Sequence, residues 1–303
     1  MRFLFCTDGH LSSKRPIARA EKTDSEYINN QLVKRKQMLD YALNNQIGTI
    51  VDGGDFLQYW RMDNSSELVI KVYDLFSKYR TVRWDVNIGN HDLPYHDLAN
   101  IDKSLLGIFD RLDIANPTES IDGEFARIQF IPYGKDLGKV EVHDTAKIKV
   151  LVIHENIFEH HVPPYMTGYT AGELMALFPQ VQLFLCGHNH EQFIITQGNQ
   201  TVVNGGSIMR LTTKQKDYKP QFYDITIEQQ IAVKPIPFAI LPNMISTDHL
   251  KSNKIQTFVE STQEFADGSE VFDFRRDVEV EMNKRKTTGS VRNVVEDCLG
   301  DLE

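Results

Sequence analysis

Short apolar runs alternate with longer amphipathic ones through residues 1 to about 190, and the apolar runs stop abruptly on Asp, Asn or His. Residues 2–7 are apolar over a strand's length rather than a helix's, and read as a buried strand. Residues 49–51, 82–88, 148–153 and 181–186 read the same way. Between them, residues 27–43 carry Ile28, Leu32, Val33, Leu39 and Ala42 on one helical face. Thr23-Asp24-Ser25-Glu26 offers that helix an N-cap and Gly48 a stop. Asp63-Asn64-Ser65-Ser66 predicts the start of a second helix over about 67–79. Residues 105–112 and 170–177 predict two more, the last stopped by Pro179. Residues 126–131 are strand-like until Pro132-Tyr133-Gly134 breaks the pattern. Further on, Phe193-Ile194-Ile195 and Thr201-Val202-Val203 read as a hairpin around Gly198-Asn199. Gly205-Gly206-Ser207 and a strand pair, 221–227 and 231–235, complete the order.

Strands alternating with helices, then closely spaced strands, predict an α/β fold: a four-layer α-β-β-α sandwich of two mixed sheets with helices outside. Residues 1–237 are expected to form the main domain. The Pro-rich stretch 235–242 reads as a linker. Residues 243–303 are more charged, helix-prone and poor in strands, so 238–303 is expected to be a small capping or partner-binding extension. A length of 303 residues allows one large domain, or one large and one small. A hydrophobic fraction of 41% with 25% charged residues supplies a full core.

No apolar run approaches the roughly 18 residues of a membrane span, and residues 2–6 run into Asp8 too early for an export signal. Cys6, Cys186 and Cys298 are odd in number, without a C-x-x-C. They read as reduced thiols, and the expected location is cytoplasmic. A net charge of −9 argues against a general nucleic-acid binder. Bound divalent cations would change that balance where a phosphate must approach.

The strand ends carry the chemistry. They deliver Asp8 and His10, Asp55, Asn90 and His91, His154, and His188 and His190 from five separate strands. In α/β sheets, ligands gather outside the carboxyl ends of strands. Carboxylate, amide and imidazole donors suit Mn²⁺, Fe²⁺ or Zn²⁺ rather than Ca²⁺. The lack of cysteine argues against a closed structural zinc site. The donors are too many for one tetrahedral ion and suit two ions roughly 3.5–4 Å apart that share a carboxylate.

The ordered motifs D-x-H, G-D, G-N-H-[DE], a lone H and G-H-x-H resemble those of the calcineurin-like metallophosphoesterase superfamily. Here they stand at Asp8-Gly9-His10, Gly54-Asp55, Gly89-Asn90-His91-Asp92, His154 and Gly187-His188-Asn189-His190. The resemblance spans residues 1 to about 230. It implies a metallophosphoesterase sandwich and two divalent ions, Mn²⁺ first, with Fe²⁺, Zn²⁺ or Mg²⁺ as alternatives. Asp8, His10, Asp55 and His190 would hold one ion, and Asp55 would bridge to a second held by Asn90, His154 and His188. His91 would contact the scissile phosphate and assist the leaving oxygen, with Asp92 orienting His91 from behind.

Within the superfamily the chain looks most like the SbcD-type DNA repair nucleases, in the compact form found in bacteriophages. Asp8-Gly9-His10-Leu11, residues 204–211 and residues 219–223 resemble their segments. Gln58 departs, standing where many of them place a His three residues after the bridging Asp. The serine/threonine phosphatases fit less well, because the second motif here lacks their D-R-G. The resemblance implies DNA as substrate, an SbcC-type ATPase partner, a homodimer and no membrane association.

Lys14, Arg15, Arg19 and Lys22 form a basic loop expected near the site mouth, and Arg15 is a candidate backbone-phosphate contact. Tyr59 and Arg61 follow the bridging Asp closely and are candidate substrate contacts. Arg210, with Lys214, Lys216 and Lys219, lies just past the active strand ends and is another. His160-His161 read as loop residues at the mouth, His96 as a helix start, and His143 and His249 as unrelated to the site. Lys284-Arg285-Lys286 reads as a helix end. Val291, Val294, Val295 and Leu299 make a helical stripe suited to docking or to a partner.

The expected activity is a two-metal phosphodiesterase, a DNA exonuclease or endonuclease subunit, in which a metal-activated hydroxide attacks the phosphodiester. One alternative is a small-molecule phosphodiesterase or phosphatase acting on nucleotides or cyclic nucleotides, which suits the acidic balance. The other is a non-catalytic partner- or DNA-binding scaffold. A complete donor set with His91 and Asp92 argues against the scaffold.

Overall fold

A computed structural model describes residues 1–61, 66–143, 147–240 and 243–247. Its elements are β1 (Arg2–Cys6), α1 (Asp24–Asn44), β2 (Thr49–Asp52), α2 (Glu67–Phe76), β3 (Arg83–Val86), α3 (Leu105–Arg111), β4 (Asn116–Pro117), β5 (Ser120–Asp122) and β6 (Ala126–Ile131). There follow β7 (Ile148–Glu155), β8 (Ile157–Phe158), β9 (Tyr169–Thr170), α4 (Ala171–Leu177), β10 (Leu183–His188), β11 (Phe193–Gln197), β12 (Gln200–Asn204), β13 (Gln221–Ile227) and β14 (Ile231–Pro237).

Two six-stranded sheets form, ordered β14-β13-β1-β2-β3-β4 and β11-β12-β10-β7-β6-β5. In the first, β1 to β4 are parallel and β13 and β14 antiparallel to their neighbours. In the second, β12, β10, β7 and β6 are parallel, flanked by antiparallel β11 and β5. The sheets are mixed, as the sequence predicts.

The continuous apolar runs are explained by strands covered on both faces. Alternate residues Phe3 and Phe5, Val150 and Val152, Leu183 and Leu185, and Tyr223 and Ile225 meet in a core between the sheets. Leu4, Cys6, Ile50, Trp84 and Phe222 point the other way and pack with α1, α2 and α3. Leu151, Ile153, Phe184 and Cys186 pack with α4 on the second sheet's outer face. The result is the four-layer α-β-β-α sandwich.

Helix starts follow the capping chemistry. Thr23 Oγ1 accepts from Glu26 N at 3.1 Å, and Thr170 with Glu173 forms a reciprocal capping box on α4. At α2 the cap is Ser66, without a side-chain bond, and Asp63-Asn64-Ser65 lie outside the described residues.

Two elements differ from the sequence reading. β3 stops at Val86 because Asn87 turns its amide inward, donating to Ile131 O at 2.8 Å. The Pro-rich stretch is not simply a linker. β14 runs through Pro235 and Pro237 as the edge partner of β13, the position where a missing N–H costs nothing. Phe238 is buried and meets Phe222 at 5.1 Å.

Met1–Ser246 form one compact unit. The second unit begins at Thr247 and otherwise lies outside the described residues, with His249, Lys284-Arg285-Lys286, the Val291–Leu299 stripe and Cys298. Cys6 and Cys186 are buried free thiols. Among the described residues, no helix is long and apolar enough to cross a membrane.

Candidate metal centre

The carboxyl ends of β1, β2, β3, β7 and β10 converge. His188 N donates to Asp8 Oδ1 at 3.0 Å, joining the two sheets. Asp55 Oδ1 accepts from His91 N at 2.9 Å, while Asp55 Oδ2 lies 3.4 Å from His154 Nε2 and 3.8 Å from His10 Nε2. Asp55 therefore stands between two imidazoles, where a bridging carboxylate would stand. His10 Nε2 and His190 Nε2 approach to 2.9 Å, and His190 Nε2 lies 3.5 Å from Asp8 Oδ1. Among the described residues, three donor groups bring one ligand atom from each member within 4.8 Å of one another: Asp8, His10 and His190; His10, Asp55 and His91; and Asp55, His154 and His188.

These residues fit divalent cations by their own unsatisfied atoms. Asn90 Oδ1 and His154 Nε2 are buried and make no hydrogen bond, an expensive arrangement unless a ligand completes them. His154 Nδ1 donates to Gly53 O at 2.9 Å, which turns Nε2 towards Asp55 and the site. The set of oxygen and imidazole donors without sulfur matches the ions named above.

The backbone is strained where the donors sit. Asp8, His10, Asp55 and His188 all have positive φ, from 41° to 86°. Such non-glycine conformations cost about 1–3 kcal/mol each and gather at functional sites. Gly9 is needed for space: a Cβ there would lie 2.7 Å from the buried guanidinium of Arg35. Gly89 is a second close approach, since a Cβ would fall on the Asp55 carboxylate.

The electrostatics follow from burial and mutual charge. Burial pushes the Asp8 carboxyl up, but the hydrogen bond and charge of His190, helped by His154, hold it below its usual range. Asp55 is likewise pushed up by burial and held lower still by His154, His10 and His91. Burial opposes the charge on His154, yet Asp55 raises it to about 10. Burial lowers His10 and His188 to about 4. Both carboxylates are thus ionised and His10 and His188 neutral, the forms that bind metal, while the same carboxylates raise His154 and His190, whose protons a bound cation would displace.

His91 stands at the rim. Its Nδ1 donates to Gln58 O at 2.8 Å, leaving Nε2 for the cleft. Asp92 does not hold His91, contrary to what the resemblance implies. Asp92 is fully buried, and its carboxylate accepts from Leu57 N at 2.9 Å, Gly89 N at 3.0 Å and Phe56 N at 3.4 Å. Adjacent side chains point apart, so Asp92 clamps the β2 and β3 turns together while a main-chain carbonyl orients His91.

A cleft of about 370 Å³ opens beside His10, His91 and His190 and is lined further by Lys14, Arg15 and Tyr59. Arg61 lies 6.0 Å from the Trp60 ring. Arg210 does not line the cleft; its guanidinium donates to Lys216 O at 2.9 Å. His160 and His161 are exposed on the loop after β8 and do not line the cleft either. His143 is exposed, and His96 lies 6.0 Å from Tyr133.

Sequence reasoning misses Gln58 O, Gly53 O and Tyr133. The Tyr133 ring lies 5.4 Å from His188 and 6.3 Å from His154. Its signal was available, because Tyr133 follows the end of β6 on the same edge.

A family model described as Calcineurin-like phosphoesterase matches residues 1–192. No curated protein matches the chain by sequence. Among solved structures, the chain is similar to a novel archaeal phosphodiesterase at 11% identity, covering 78% of this chain and 100% of that one, with a TM-score of 0.40. It is similar to a dimetal phosphatase from Danio rerio at 9% identity, covering 78% and 95%, with a TM-score of 0.45. GAP50, the anchor in the inner membrane complex of Plasmodium, is similar at 14% identity over 86% and 94%, with a TM-score of 0.45.

Proposed function

The chain belongs to the calcineurin-like phosphoesterase family, and on that premise we propose that this hydrolase of phosphoric esters is a DNA nuclease subunit of SbcD type. The family depends on two metal ions. The observation that carries the DNA reading is the open cleft running from His91 and His190 to Lys14, Arg15 and Tyr59. A backbone phosphate beside the cut can meet cations there, and a base can meet an aromatic ring. The segments at 204–211 and 219–223, similar to those of SbcD-type nucleases, support the same branch.

Asp8, His10, Asp55 and His190 would hold one ion, and Asp55, Asn90, His154 and His188 the other. Bound there, the ions supply charge neutralisation for the phosphoryl oxygens and a nucleophile at neutral pH. The chain's own residues do the rest. Gln58 O holds Nδ1 of His91, so Nε2 can protonate or hydrogen-bond the leaving oxygen. Asp92 keeps the turn that carries His91 seated against Phe56 and Leu57. Mn²⁺ as the working metal, an SbcC-type ATPase partner, a homodimer and a capping role for residues 238–303 belong to the same proposal.

The test is a time course with Mn²⁺ on end-labelled linear duplex DNA, with bis(p-nitrophenyl) phosphate beside it and His91→Ala as control. DNA degradation that is lost in the variant is the expected result. Cleavage of the small ester alone, unchanged by adding an SbcC-type partner, would replace this reading with a nucleotide phosphodiesterase.

A further inference from the structure

The residues beyond His91 build an aromatic arch that the metal chemistry does not use. Leu93 and Pro94 are buried, and Tyr95 and His96 then take positive φ of 56° and 55° in succession. Neither residue is glycine, and nothing in the family motifs calls for that turn. Non-glycine residues in this conformation are uncommon and gather at functional sites. The turn swings Tyr95 against Trp60, with ring centroids 5.7 Å apart, and His96 towards Tyr133, 6.0 Å away.

The arch flanks the site without lining the cleft, which takes Gln58 and Tyr59 from the same segment as Trp60. Trp60 is two residues from Gln58, whose carbonyl holds His91. Tyr133 lies 5.4 Å from His188. Yet Tyr95 is 84% exposed and Tyr59 is 57% exposed. Large aromatic side chains left in water beside a phosphoesterase centre bury little of their own apolar surface. Arg61, 6.0 Å from Trp60, adds a cation to the same ledge. Aromatic faces with an arginine beside a charged channel are the chemistry that receives unpaired nucleobases.

We propose that the Trp60–Tyr95 pair is a stacking platform for an unpaired nucleobase next to the cut phosphodiester, on the His91 side. The inference rests on the nuclease reading and narrows its substrate to DNA with unpaired nucleotides at the cut. Tyr95 supplies the open face, the half-buried Trp60 meets it at a 46° tilt, and the turn sets its position.

The experiment uses the full chain with Mn²⁺ and a single-stranded oligonucleotide whose linkages are all phosphorothioate except one. A second oligonucleotide carries an abasic residue on the leaving side of that linkage. Wild type is expected to lose roughly tenfold in kcat/KM on the abasic strand, the scale of one stacked base. Tyr95→Ala is expected to cut both strands alike, and Tyr95→Phe to restore the wild-type ratio. Tyr95→Asn, which accepts positive φ more readily, should behave like Tyr95→Ala and so separates loss of the ring from loss of the turn. A Tyr95→Ala enzyme that discriminates as wild type does, or a wild type that cuts both strands alike, overturns the platform while leaving the nuclease intact. A wild type that hydrolyses bis(p-nitrophenyl) phosphate but neither strand, with or without an added SbcC-type partner, overturns the nuclease reading and the platform with it.

Discussion

The imidazole of His91 is held by a main-chain carbonyl, Gln58 O, at 2.8 Å from Nδ1. A carbonyl can only accept, so the proton sits on Nδ1 and Nε2 is turned to the cleft. The orientation needs no particular side chain at position 58. His91→Ala should therefore keep both metal ions and lose about 10²- to 10⁴-fold in turnover, the range for a positioned acid–base group. Metal content of the purified variant and hydrolysis of bis(p-nitrophenyl) phosphate check the two halves separately. Loss of metal would make His91 a ligand, as its closeness to His10 and Asp55 permits.

Asp92 holds together two turns that are more than thirty residues apart in sequence. Asp92→Ala would leave Leu57 N and Gly89 N buried without acceptors, at about 1–3 kcal/mol each. The expected loss is about 2–5 kcal/mol in urea unfolding, with Asp92→Asn, which keeps one acceptor oxygen, losing less. Equal stability of Asp92→Ala and wild type would remove the clamp assignment.

Asp52 lies beneath the site and is not among the metal donors. Burial pushes its carboxyl up to about 6, partly offset by hydrogen bonds from Trp84 and Gly54 and by the charge of Arg35. The folded form thus binds the proton more tightly than the unfolded chain, whose value is 3.8. Its contribution to stability is complete below the unfolded value and is lost as pH rises through about 6. A shift of that size corresponds to about 3 kcal/mol. Urea unfolding of wild type and Asp52→Asn should show wild type losing about that much relative to the variant between roughly pH 4 and pH 7. Parallel stability curves would mean that Asp52 titrates as an exposed carboxyl does.

The sequence by itself determined the layers and the candidate donors. Runs such as residues 150–153 are apolar on both faces because both faces are covered, and the sequence alone displays that. Asp8, Asp55, His154 and His188 are legible because a strand that ends on a metal-binding side chain breaks its own apolar pattern. Tertiary structure decided what each donor leans on. Gln58 O, Gly53 O and the N–H groups of Leu57 and Gly89 are main-chain atoms, and every residue carries them, so no side-chain pattern can single them out. It also decided that Pro235 and Pro237 extend a strand, since only the sheet's edge makes a missing N–H harmless. The meeting of Tyr95 with Trp60 likewise depends on two successive positive φ values, a backbone choice against local preference that no side-chain pattern announces.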